Sequence, residues 1–227
     1  MQAVPGDVRS EIIERLRQYA SKRMGGAEVR LFQSLVDRYY ERVAAEDLAA
    51  RAVPDLFGTA LAHLRLARRR QPGEPAVAVF SPTFDEDGFA CPHSVVQVVT
   101  EDMPYVPDSL KTELARHGFG VHIALHPVFE VARDADGRLL ALLGGIGPEA
   151  GGADARSAQA PSVEAGAEGT EIVRESFHHI EIDRQADPAV LDQLRLDLIR
   201  VLGDVRAAHE DQAAMRERAI SIAQGLG

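Results

Sequence analysis

The chain has 227 residues, 45% of them hydrophobic, enough for one fair-sized domain or two small ones with a buried core. Lys plus Arg number 25 against 35 Asp plus Glu, a net charge of -10 that opposes generic binding to nucleic acid or to an anionic membrane. Cys91 is the single cysteine, which excludes an intrachain disulfide or a cysteine metal cage, and no stretch reads as a signal peptide or a spanning helix, so a soluble cytoplasmic protein is expected.

From Asp7 to Arg23, Val8, Ile12, Ile13, Leu16, Tyr19 and Ala20 fall on one helical face, and Gly25-Gly26 ends the run. Glu28 to Ala45 repeats the pattern with Val29, Phe32, Leu35, Val36, Tyr39, Tyr40 and Val43, which predicts an antiparallel helix pair. A short helical piece is expected over Asp47 to Arg51. Pro54 then opens another helix, with Phe57, Ala60, Leu61 and Leu64 inward. Arg68-Arg69-Arg70 invites a phosphate-binding reading, but cations at a helix C-terminus complement the backbone dipole without any ligand. Gln71-Pro72-Gly73-Glu74-Pro75 continues neither period and marks a linker, so a helical subdomain is predicted over residues 1–72.

Ala76 to Phe80 reads as a short strand, and Asp85, Glu86, Asp87 and Gly88 as a solvated turn, since the later oxygen ligands of a calcium loop are missing. Ser94 to Thr100 is apolar and β-branched on both faces, as a central strand must be. After Glu101-Asp102-Met103-Pro104 a helix is predicted, with Pro107 in its first turn, Val106, Leu110 and Leu114 on one stripe, and Gly118 as a left-handed stop. Val121 to His126 alternates with period two, completing a βαβ unit.

Val128 to Arg133 and Arg138 to Leu143 flank Asp134-Ala135-Asp136-Gly137, a strong hairpin signal. Gly144 to Gly169, rich in Gly, Ala, Ser and Glu with no apolar period, is expected to be a mobile loop. Gly145-Ile146-Gly147-Pro148-Glu149-Ala150 satisfies a dinucleotide fingerprint in form, but Gly151-Gly152 follow where the phosphate-binding helix should run. Ile172 to Asp183 is strand again, with Ser176, His178, Ile180 and Ile182 on one face and Phe177, His179, Glu181 and Asp183 on the other. Asp187-Pro188 caps a last helix whose first half should lie on the sheet and whose second half, over residues 206–227, should project.

Five blocks taken together resemble the N-terminal region of the large bacterial NAD-dependent glutamate dehydrogenases: His93-Ser94-Val95-Val96, Glu101-Asp102-Met103-Pro104, Asp108-Ser109, Arg116-His117-Gly118 and Ile123-Ala124-Leu125-His126-Pro127. The likeness extends to Pro72-Gly73-Glu74, Phe80-Ser81-Pro82 and Glu175 to Gln185; Pro107 departs from it, where the family has an apolar residue able to donate its N–H. The resemblance implies an α+β fold: a helical N-terminal subdomain, then a two-layer ACT-like (ferredoxin-like) α/β sandwich over residues 76–205, then a long C-terminal helix. It implies a non-catalytic regulatory or assembly region, with the remaining domains of the dehydrogenase and further copies of the chain as partners. The family oxidises L-glutamate to 2-oxoglutarate and ammonia with NAD, but its dinucleotide fold and activated lysine lie outside a stretch of this kind. No cofactor, metal or catalytic residue is therefore assigned here. The two lysines, Lys22 and Lys111, fall on helical surfaces, and no Ser-His-Asp order, phosphate loop or paired-carboxylate spacing stands out. A free-standing ACT-like amino-acid sensor or interaction module is the alternative.

Two candidate sites follow. Glu101, Asp102, Asp108 and Ser109 surround the start of a helix, where backbone N–H groups attract a carboxylate while the acidic side chains accept an ammonium, a pairing suited to an amino-acid effector; simple capping of the helix is the alternative role. His122 and His126 have zinc-like HxxxH spacing, but on a strand they stand roughly 13 Å apart, too far for one metal. With Phe177, His179 and Glu181 they are expected on the face of the sandwich that carries no helices, as an interface for self-association or docking.

Overall fold

The computed structural model describes residues 5–145 and 169–225. Four helices come first: α1 (Pro5–Ser21), α2 (Gly26–Tyr39), α3 (Ala45–Ala49) and α4 (Val53–Ala67). Their apolar stripes close on one another, burying Leu16, Phe32, Leu35, Leu48, Leu56 and Leu64 almost completely, each contributing roughly 1.5–3 kcal/mol of transfer free energy. Tyr40 donates its hydroxyl to the Leu56 carbonyl at 2.7 Å, satisfying the polar end of a ring that could not otherwise be buried. α2 stops at Tyr39, earlier than its apolar period, because Tyr40 and Val43 reach the core from a turn rather than a helix.

The strands are β1 (Ala76–Phe80), β2 (Ser94–Glu101), β3 (Val121–Leu125), β4 (Val128–Arg133), β5 (Leu139–Gly145) and β6 (Glu171–Ile182). Between them lie the short α5 (Phe84–Asp87), capped by Thr83, and α6 (Val106–Arg116); α7 (Pro188–Gly225) follows the last strand. Among the described residues the sheet is six-stranded, in the order β1-β2-β6-β4-β5, with β3 also paired to β6. β6 is antiparallel to β2 on one side and to both β3 and β4 on the other, so β2 and β3 run parallel with β6 between them. The βαβ unit read from the sequence is thus a split one. Pro127 separates β3 from β4, and its carbonyl accepts the Phe177 N–H, which keeps the two segments in line along β6.

Both faces of the sheet are covered. Val96, Val98, Ile180 and Ile182 pack against Leu110 and Leu114 of α6 and Leu194, Leu198 and Leu202 of α7. Val99, Leu125, Phe129, Val131 and Phe177 pack instead into the core of α1 to α4. The sandwich of sheet, α6 and α7 carries the helical layer on its second face. Gly58 lets α4 pack closely on the loop that precedes β2, since a Cβ there would meet Phe89 at 2.4 Å. α7 packs on the sheet core as far as Val205; Arg206 still reaches Glu101, whereas residues 207–212 are exposed. The loop expected over 144–169, with its glycine fingerprint, falls for the most part outside the described residues.

Candidate functional site

The predicted open face is closed by the chain's own helices. Phe177, His179 and Glu181 are buried to within 1% of full enclosure, so they serve an internal boundary and are not available to a partner. The helical layer of α1 to α4 occupies the space where a second molecule was expected. The strand faces also differ from expectation. A bulge between Val121 and Ile123 rotates β3, so Ile123 and Leu125 pair with Glu181 and His179 and share their face. His126 turns to the opposite side, stacked 6.1 Å from His178, and His122 stays at the rim, stacked on His93 at 4.0 Å and 2.8 Å from Asp183. The five predicted interface residues therefore do not form one patch.

What lies between helices and sheet is a polar seam. Glu181 accepts two hydrogen bonds from Arg51, at 2.5 and 2.8 Å, and contacts His93 at 2.9 Å and His179 at 3.3 Å. Burial pushes its pKa up, but His179, Arg51 and His93 outweigh this and hold the carboxyl well below the usual carboxylate range. A buried anion so held is costly to strand, and Arg51, just after α3, thereby fastens the helical layer to β6. His63 of α4 completes the seam. Its Nε2 faces the Val98 carbonyl at 3.2 Å and must donate, so Nδ1 accepts the Tyr39 hydroxyl at 2.8 Å. Burial, with help from His179, keeps His63 neutral by pushing its pKa far down.

The predicted effector residues are separated by arginines. Glu101 pairs with Arg206 at 2.9 Å and with Arg70 at 3.7 Å, and accepts the Gly73 N–H at 3.4 Å. Asp102 pairs with Arg174 at 2.8 Å. Neither caps α6, whose N-cap Tyr105 takes a left-handed φ of 70° and offers no side-chain hydrogen bond. Asp108 is exposed in the first turn, and the Ser109 N–H donates to the Tyr105 carbonyl. The helix start is therefore not ringed by free carboxylates. Asp102 instead opens onto a cleft of about 360 Å³ between the end of α2, the β3–β4 junction and β6, lined also by Arg38, Glu41, Arg42, His126 and Arg174. Arg38 and Arg42 have no ion-pair partner among the described residues.

Arg70 and Arg133, both 4% exposed, converge on the fully buried Glu175: both Nε atoms donate to its Oε1 and Arg133 Nη2 donates to its Oε2, each at 2.7 Å. Sequence reasoning placed Arg70 on a helix end and gave the other two no role. No local signal sets them apart, since β4 also carries Glu130 and β6 also carries Glu171, Arg174 and Glu181. The Arg38 and Arg42 spacing of one helical turn was legible as a polar edge, but nothing local links it to Asp102 or Arg174, 60 or more positions further on.

A split βαβ unit, a hairpin and two helices on one sheet face define an α+β fold of the ACT type. The family described as "Glutamate dehydrogenase, ACT1 domain" matches residues 35–198, and the chain belongs to that family. It is similar to the NAD-specific glutamate dehydrogenase of Halomonas elongata, 32% identical over 223 residues, and to that of Pseudomonas aeruginosa, 26% identical over 219 residues. These alignments cover 97% and 96% of this chain but 12% of each relative, so the chain is the counterpart of an N-terminal region of a large enzyme. The NAD-specific glutamate dehydrogenase of Mycobacterium tuberculosis is 30% identical over 168 residues, 74% of this chain and 9% of its own length. No solved structure matches the chain. No helix among the described residues is long and apolar enough to cross a membrane.

Proposed function

We propose that this chain is the non-catalytic regulatory region of an NAD-dependent glutamate dehydrogenase and binds a free amino acid in the cleft beside Asp102. The observation that carries the reading is the charge arrangement of that cleft. Arg38 and Arg42, without an ion-pair partner among the described residues, present guanidinium groups to a carboxylate, while Asp102, 2.8 Å from Arg174, offers an oxygen to an ammonium. Three arginines against Glu41 and Asp102 leave the lining net positive, so acidic amino acids should bind better than neutral ones. Each charge-assisted contact is worth about 1.5–3 kcal/mol gross, and desolvation and ordering subtract, which places the affinity in the micromolar to millimolar range. NAD and the catalytic lysine belong to other domains of such an enzyme, which are this region's partners together with further copies of the chain. Contact with them falls to surfaces other than the buried sheet face, such as the exposed stretch of α7.

Calorimetric titration with a panel of amino acids tests the binding. Saturable heat with aspartate or glutamate, weakened at least several-fold by Asp102→Ala and unchanged by Lys22→Ala beyond α1, is the expected result. Absence of heat with every amino acid, or equal binding by the Asp102 variant, would overturn it. The purified chain should also form no NADH from glutamate and NAD above a no-protein control; turnover that survives repurification would contradict the non-catalytic half of the reading.

A further inference from the structure

Where α6 crosses α7, three groups of ligating chemistry converge away from the cleft. Glu113 on α6 and His117, which caps its C-terminus, lie one turn apart, and Asp197 projects from α7. His117 Nε2 is 3.0 Å from Asp197 Oδ2 and 3.4 Å from Glu113 Oε1. Two donor atoms bound to one divalent ion at about 2.1 Å stand roughly 3.0–3.4 Å apart at tetrahedral to octahedral angles, so these separations need little adjustment. The donors are also held in place. The His117 ring stacks on Phe119 at 5.8 Å and 11°, Gln193 donates to Asp197 Oδ2 at 3.1 Å, and the Glu113 side chain is only 6% exposed.

We propose that Glu113, His117 and Asp197 form a binding site for a divalent first-row transition metal such as zinc, which ties α7 to α6. One imidazole and two carboxylates suit such an ion and leave its outward positions to water. Arg116, whose side chain is 57% exposed, lies over the same oxygens, bonded to Glu113 and 3.4 Å from Asp197. With Arg200, which lies 3.9 Å from each of the two carboxylates, it is the built-in competitor: the two guanidinium groups supply the positive charge until the metal displaces Arg116 toward solvent. The other cluster of ligating groups, Cys91, His93 and Glu181, is a poorer host, because Arg51 already holds both carboxylate oxygens inside the seam.

The test is zinc titration of the purified chain by calorimetry, paired with its melting temperature with and without zinc. One equivalent should bind and raise the melting temperature. His117→Ala and Asp197→Asn should each weaken binding by at least about 10-fold. Arg116→Ala should tighten it by about two- to fivefold, and Cys91→Ser should leave it unchanged. Lack of saturable binding, retention of full affinity in His117→Ala, loss of affinity in Cys91→Ser, or weaker binding by Arg116→Ala would each overturn the proposal. Should His117→Ala fail to fold, the solvent-exposed Arg116 variant still decides between a metal site and a plain ion-pair cluster.

Discussion

His178 is enclosed on the α6–α7 side of β6, with Ser176 Oγ 2.9 Å from its Nε2. Burial, and secondarily His126, pushes its pKa down to about 3 from 6.5. The unfolded chain therefore binds more protons between those two values, and stability falls as the pH drops through the window. His178 alone should remove about 1.5–2 kcal/mol between pH 6.5 and pH 5. Urea unfolding at the two pH values should show at least this loss, because His63, also kept neutral by burial, adds to it in the same direction; His178→Gln should reduce the dependence without abolishing it, and an unchanged slope in the variant would mean that other groups cause it. Glu181, held low by its partners, adds to acid instability only once the pH falls to the ordinary carboxylate range and beyond. At Glu175 the expected effect is larger. Glu175→Gln leaves Arg133 buried with no counter-charge and Arg70 with only Glu101 at 3.7 Å, a loss of about 3–5 kcal/mol, and urea unfolding that differs by less than 1 kcal/mol from wild type would contradict the pairing seen here.

At the level of elements, α6 begins on strain. Tyr105 is 64% exposed and holds a left-handed φ of 70° that its side chain does nothing to repay. Tyr105→Gly should stabilise the chain by about 0.5–1 kcal/mol, read as a higher melting temperature, whereas a lower one would show that the ring supports the turn. Most element types were legible because they rest on local signals. The apolar stripes of α1, α2 and α4, the left-handed stop at Gly118 with φ 77°, the Asp-Gly hairpin and the alternation of β6 each declare themselves within a few residues. What escaped was set by distant contacts. The bulge at β3 depends on how that strand meets β6, and it reversed which residues share a face with Glu181. Arg70, Arg133 and Glu175 come together only after three elements have packed.

For the molecule as a whole, the decisive feature is that the helices of the first 70 residues cover the sheet face that alternation alone marks as half polar. His63, Gln97, His179 and Glu181 are polar because they join two layers, and Arg51 is the tie. The same docking sets the end of α2 opposite the β3–β4 junction and so builds the cleft that brings Arg38 and Arg42 to Asp102 and Arg174. An effector there would bridge the helical layer and the sheet, which gives binding a structural consequence beyond the cleft itself. Amide hydrogen exchange with and without saturating aspartate or glutamate tests this most directly. Slower exchange confined to residues 38–43, 102–103, 124–128 and 173–175, with α1 unaffected, is the predicted result; unchanged exchange in these segments, or protection centred on another part of the chain, would contradict it.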